Sequence, residues 1–177
     1  MRIVTAYRPT YKGNQAGPFT VHAQHKSYLN RTNDTRSPRE AMLQDLEKQL
    51  RKWFRDGESS ILMMDCNESV KSPRMLRFLD RSGLRNVTLE RHGQEAPPTY
   101  TNGSSVIDGI FATPSIVCRR AGFCGYDQGV QGDRSDHRCL WLDFDLAKAF
   151  GNTALPSAKP QARCLKCNDP RIVHRFN

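Results

Sequence analysis

Nothing in the 177 residues is apolar for long enough to cross a membrane. No signal peptide is expected, because Met1-Arg2 leads into a strand pattern rather than a long apolar core. No internal repeat is present. The six cysteines are scattered, which leaves no disulfide framework and points to reduced thiols in an intracellular setting. Acid is in short supply: 18 Asp and Glu stand against 27 Lys and Arg, a net charge of +9 and a pI near 9.5. That balance favours a polyanionic partner, although a basic chain can also be merely soluble. The length suffices for one domain with a sizeable core.

What is present centres on Gly132 to Asp145, GDRSDHRCLWLDFD. A polar loop carrying Ser135, Asp136 and His137 runs into the strand Cys139 to Asp145. Leu140, Leu142 and Phe144 alternate with Cys139, Trp141 and Asp143, so one face is strongly apolar. Within a strand Asp136 and His137 would face opposite ways, and only irregular backbone aims both at one point. A turn stabilised by Asp and Ser is the plainer reading of the loop.

Three further polar insertions interrupt apolar runs. Ile61-Leu-Met-Met-Asp-Cys-Asn67 ends in Asp65 and Asn67, which two residues apart share a face at a strand's end. In Val106-Ile-Asp-Gly-Ile-Phe111, Asp108 must be paired or hydrogen-bonded to be tolerated, and His137 is its natural partner. Ile3 to Tyr7 reads as a strand stopped by Pro9. Each has a structural alternative: a turn at Asp65 and Asn67, a lone satisfied Asp108, a packing role for Tyr7.

The series TAYRP, MDCNES, TYTNGSSVIDGIF and GDRSDHRCLWLDF resembles the exonuclease-endonuclease-phosphatase superfamily, which includes abasic-site and retrotransposon endonucleases. The resemblance covers nearly the whole chain and is closest to reverse-transcriptase-linked proteins, in which the domain is followed by a segment like LKCNDPRIVHRFN. It implies an α/β fold, part of a four-layer α-β-β-α sandwich, and a metal-dependent phosphodiester hydrolase of the endonuclease kind. The partner implied is nucleic acid, DNA ahead of RNA, with Mg2+ or Mn2+ as cofactor and no membrane. Asp65 would orient or deprotonate the attacking water, Asn67 would donate to phosphate oxygens, and Asp108 would orient His137 against the scissile phosphate. Asp136 would lie near the metal, and Tyr7 would contact phosphate. Hydrolysis of a phosphodiester needs an activated water and stabilisation of growing charge, and a hard cation with oxygen ligands supplies the second.

Two departures qualify the resemblance. Met64 stands where the family usually has Gly, and it could crowd a ligand. The Asn and metal-binding Glu that the family supplies from its first half have no counterpart, because Met1 opens on the strand ending at Tyr7. Residues 1–150 are thus expected to be a domain lacking its N-terminal half, weakly active or inactive alone, with neither Glu40 nor Glu68 replacing the missing ligand. The rival expectations are a non-catalytic nucleic-acid-binding remnant and a phosphatase acting on small or lipid phosphates.

The remaining elements follow local signals. A helix is expected over Phe19 to Asn30, with His22 and His25 on one face, solvated rather than metal-binding. Ser37-Pro38-Arg39-Glu40 is a capping box that opens a helix of Met42, Leu43, Leu46, Leu50, Trp53 and Phe54, stopped by Gly57. The strand Ser60 to Asp65 follows. Ser72-Pro73 opens another helix with Met75, Leu76 and Leu79 inward and Gly83 at its end. Asn86 to Thr99 is expected to be a loop. Thr99 to Gly103 with Val106 to Ala112 reads as a hairpin or kinked strand, in which Tyr100 and Asn102 either line a groove or pack. Ile116 to Gly125 is a further strand. Gly151 to Pro160 reads as a linker, and residues 151–177 as linker plus basic tail. Cys164, Cys167 and His174 there make half a zinc knuckle without a second pair.

Overall fold

A computed structural model of the chain describes residues 1–11, 17–127 and 135–151. The linker, the basic tail with Cys164, Cys167 and His174, and most of the approach to Ser135 lie outside the described residues. The fold is mixed α/β. A four-stranded sheet has the order β1 (Arg2–Tyr7), β2 (Ser60–Asp65), β4 (Asp108–Ala112), β3 (Arg85–Asn86), and a separate two-stranded sheet pairs β5 (Cys118–Phe123) with β6 (Leu140–Phe144).

Strand β1 (Arg2–Tyr7) runs parallel to β2 (Ser60–Asp65), and β4 (Asp108–Ala112) lies antiparallel on the other side of β2. The short β3 (Arg85–Asn86) completes the sheet beside β4. The parallel pair needs a crossover, which helices α1 (Val21–Arg31) and α2 (Pro38–Arg55) supply. Helix α2 starts where its sequence says it should: Ser37 accepts from the Glu40 backbone N–H while Glu40 returns the bond. Helix α3 (Pro73–Ser82) is capped by Ser72 and ends at Gly83 in the left-handed region, φ 65°.

Because β2 is covered on both faces, its residues sort by parity into two cores. Leu62, Met64 and Cys66 join Leu43 and Leu50 of α2, Met75, Phe78 and Leu79 of α3, and Phe111. Ile61 and Met63 face the other way, with Ile110, Ala112, Ile116 and the inner residues Leu140, Leu142 and Phe144 of β6 (Leu140–Phe144). Strand β5 (Cys118–Phe123) pairs antiparallel with β6. The described residues thus supply a helical layer and two sheets. A short helix α5 (Leu146–Phe150), capped by Asp145, ends the described chain.

Several local expectations are corrected. Asn86 to Thr99 is not all loop: Asn86 accepts from the Leu89 N–H at 3.0 Å and caps helix α4 (Val87–His92), whose Val87 and Thr88 are buried. Leu76 is 52% exposed and Phe78 takes its place inside, because residues 75, 78, 79 and 82 share the helix face. Phe54 is also exposed. Met64 packs its side chain among the helices, on the opposite face of the strand from Asp65, and it also borders the cavity beside Asp65 and Asp108.

Gly109 in β4 is there for space. A Cβ on it would sit 2.4 Å from Cζ of Phe111, a ring with no exposed surface to move into. Gly109→Ala is expected to cost about 1–3 kcal/mol through overpacking, read as a Tm lower by several degrees, whereas Gly17→Ala, whose Cβ would meet nothing within 4 Å, leaves Tm nearly unchanged.

Candidate active site

Strand register assembles the site. Tyr7 is the partner of Asp65 on β2, and Asp65 is the partner of Asp108 on β4, so the three form one row across the end of the sheet. Paired residues of neighbouring strands project to the same face. That face is the one turned towards β6, and a cavity of about 240 Å3 opens beside both carboxylates, bordered by Met63, Ile110, Leu140 and Arg138.

His137 enters the row from the loop before β6. Its backbone forms an isolated antiparallel bridge with Tyr100, and the two rings lie 5.0 Å apart at 43°. Nδ1 of His137 is 2.9 Å from Oδ2 of Asp108. A carboxylate can only accept here, so Nδ1 carries the proton and Nε2 is left for other chemistry. Asp65, Asp108 and His137 each offer one ligand atom within 4.8 Å of the others, the one such group of three among the described residues. Two carboxylates and an imidazole suit a divalent cation.

The electrostatics follow from that crowding. Burial pushes the proton affinity of Asp65 up, the N–H of Asn67 opposes it, and the negative charge of Asp108 adds to the rise. For His137 burial works against the charged form, but the hydrogen bond and charge of Asp108, with the fields of Asp65 and Asp136, raise its pKa above the ordinary 6.5.

Asn67 reaches Asp65 by a different route from simple alternation along β2. Its backbone is left-handed at φ 47°, which folds it back so that its N–H donates to Oδ1 of Asp65 at 2.8 Å and Nδ2 donates to Oδ2 at 3.2 Å. The other amide proton goes to the carbonyl of Arg8 at 2.7 Å. Both neighbours of the amide nitrogen are acceptors, so its orientation is set, and in this arrangement the amide positions Asp65 with no proton left for phosphate. The turn reading of Asp65 and Asn67 is thus what the structure shows, and the expected donation from Asn67 to phosphate finds no free amide proton in it.

Asp136 stands outside the cluster. It is exposed beside a half-buried His137, its carbonyl accepts from the Thr101 N–H at 2.9 Å, and its charge acts on His137 from there. Extended pairing with Tyr100 and Thr101 keeps the two neighbours on different sides. Tyr7 is 46% exposed at the open end of the row. Glu68 is occupied: Ser72, Arg8, Arg39 and Arg74 all donate to it. Burial raises its proton affinity, yet these bonds and charges prevail and hold it at about 2. It is a tie between β1, α2 and α3, consistent with leaving it out as a metal ligand.

Two supports had no signal in the sequence. Thr99, fully buried, accepts with its hydroxyl from the N–H groups of Ile107 and Asp108 at 2.9 and 3.1 Å, which sets the start of β4. Arg138 donates to the carbonyls of Pro98 and Cys124 at 2.9 and 3.1 Å and lies over the ring of Tyr126 at 4.2 Å. A lone Thr or Arg in a loop looks the same in sequence whether or not it ties two loops together. His22 and His25, three residues apart on α1, differ in exposure: His22 is half-buried and His25 exposed.

No protein-family model matches the chain, and no curated protein matches it. Among solved structures, a mannosyl-6-phosphatase of Bacteroides thetaiotaomicron VPI-5482 is similar at 19% identity with a TM-score of 0.46, over 58% of this chain and 44% of that one. The chain thus spans less than half the length of that structure. No helix among the described residues is long and apolar enough to cross a membrane.

The pairing of Asp108 with His137 has a pH consequence. A histidine pKa raised on folding means that the pair stabilises the fold below pH 6.5 and that this contribution is lost as the pH rises through the raised value. In Asp108→Asn the His137 pKa is expected to fall, measured by NMR titration of the imidazole; an unchanged titration would show that the hydrogen bond does not govern it.

Proposed function

We propose that the chain is a metal-assisted phosphodiester hydrolase acting on nucleic acid, of the exonuclease-endonuclease-phosphatase kind. The observation that carries the reading is the convergence of Asp65, Asp108 and His137, three residues remote in sequence, within 4.8 Å at one end of the sheet. The net charge of +9 supports a polyanionic substrate. In this reading the helical layer and the two sheets belong to a four-layer sandwich.

Asp65 and Asp108 would hold a divalent cation such as Mg2+ or Mn2+, because two neighbouring carboxylates otherwise repel and the cation offsets both. When bound, that ion supplies charge stabilisation at the phosphoryl oxygens. The protein's own groups do the rest. Asp65, with its proton affinity raised by burial and its orientation set by Asn67, takes the proton of the attacking water. His137, held by Asp108 through Nδ1, turns Nε2 to the phosphate, where in its protonated form it donates to a phosphate oxygen and can deliver a proton to the leaving oxygen. Tyr7, exposed on the same row, flanks the phosphate, and Asp136 adds negative charge behind His137.

The test is cleavage of plasmid DNA with Mg2+ or Mn2+, beside hydrolysis of a phosphoinositide and of a small phosphomonoester. Slow cation-dependent cleavage of DNA is expected, abolished by chelation and reduced about 10²–10⁴-fold in Asp65→Asn. Preference for either small phosphate would reassign the substrate. DNA binding with no cleavage, equal in wild type, Asp65→Asn and His137→Ala, would leave a binding module without catalysis.

A further inference from the structure

On the far side of Asn67 from Asp65, a cleft of about 740 Å3 opens between the end of β1 and the starts of α1 and α2. Its walls include Tyr11, His22, Lys26, Pro38, Arg39 and Asn67, and no carboxylate lines it among the described residues. Asn67 is shared: its side chain bonds Asp65, and it also borders the cleft. A ligand seated there would touch the residue that positions the proposed base.

Three features give the cleft a preference. The first is charge. Arg39 is anchored to the carbonyls of Pro9 and Asn67 at 2.7 and 3.0 Å. Behind it Arg8 is fully buried, donates to the Arg39 carbonyl at 3.4 Å, and keeps an Nη2 with no hydrogen-bond partner among the described residues; both guanidinium groups pair with the single carboxylate of Glu68, which offsets only one of the two charges. Asp34, whose field reaches Lys26, is already paired with Arg36 at 2.6 Å, so Lys26 stays available. The second is the pair of helix starts. His22 is the second residue of α1, and Ser37 and Pro38 begin α2, so two positive dipole ends add to the side-chain charge. The third is the wall: the rings of Tyr11 and His22 lie 5.1 Å apart at 54°, offering an aromatic surface next to the cations. Burial first, then the charges of Arg39, Lys26 and His25, depress the proton affinity of His22.

We infer that this cleft binds a phosphate of a nucleic-acid strand neighbouring the scissile one, with the adjoining base or sugar against Tyr11 and His22. The inference rests on the proposed hydrolase site for its direction along the strand and narrows the substrate to a polynucleotide. Cations that follow the backbone and aromatic rings that take bases are the usual combination for single strands. A monophosphate ester held at Asp65 would leave the cleft empty.

The test is fluorescence anisotropy of a fluorescein-labelled single-stranded DNA of about twelve nucleotides, in chelator so that nothing is cleaved, across a salt series. Lys26→Glu is expected to weaken binding about tenfold and to lower the slope of log affinity against log salt by about one or more. His22→Ala should weaken it severalfold through the lost ring. Lys52→Glu makes the same change of charge about 20 Å along α2, and should weaken binding less than twofold. Equal weakening by Lys26→Glu and Lys52→Glu, or none by Lys26→Glu, overturns the cleft. The two proposals fail separately. Binding that is sensitive to Lys26 in a chain that cleaves nothing sinks only the hydrolase reading, and cation-dependent cleavage with Lys26→Glu binding as wild type sinks only the cleft.

Discussion

Register is the constraint on which the rest depends. Strand β2 is apolar on both faces, and one residue of slippage against β1 or β4 would exchange Ile61, Met63 and Asp65 with Leu62, Met64 and Cys66. Such a slip would bury a carboxylate among the helices, at a cost of several kcal/mol. The same hydrophobic sorting that builds the two cores therefore fixes Tyr7, Asp65 and Asp108 in one row. The reactive groups take no ordering of their own; they ride on the packing of Leu62, Phe111, Ile61 and Ile110.

Around that row, polar ties replace regular structure wherever the chain leaves the sheet. Asn67 turns left-handed and returns to Asp65, Thr99 seats the first N–H groups of β4, and Arg138 joins the loops at Pro98 and Cys124. On the other side of Asn67, Glu68 gathers Arg8, Arg39 and Arg74 into one network. A single carboxylate beside three guanidinium groups leaves that region net positive, while the Asp65 and Asp108 pair is net negative. The site and the basic cleft are thus two opposite fields with one amide between them, an arrangement suited to a cation on one side and an anion on the other.

Local signals carried far where one segment decides its own conformation. The capping box at Ser37, the Pro at the start of α2 and α3, the Gly83 stop, the apolar run of β2 and the alternation of β6 all appear in the structure as the spacing predicts. They failed where a tertiary contact overrode a weak local preference. The polar stretch after Asn86 forms α4 because Val87 and Thr88 find buried positions, and Leu76 yields its inward place to Phe78. Tyr100, expected in a hairpin or a kinked strand, forms a single bridge with His137, a partner remote in sequence.

The amino-acid order by itself determined the kinds of the capped and strongly patterned elements, the positions of the polar interruptions and the pairing of Asp108 with His137, because a carboxylate set in an apolar run demands a partner and few residues could serve. Only the tertiary structure decided which interruptions meet. It set Asp136 apart from His137, gave Glu68 to three arginines, spent both amide protons of Asn67, and opened a basic cleft behind it. Those outcomes turn on strand register and on competition among donors and acceptors brought together from distant segments, and no local stretch of sequence contains that competition.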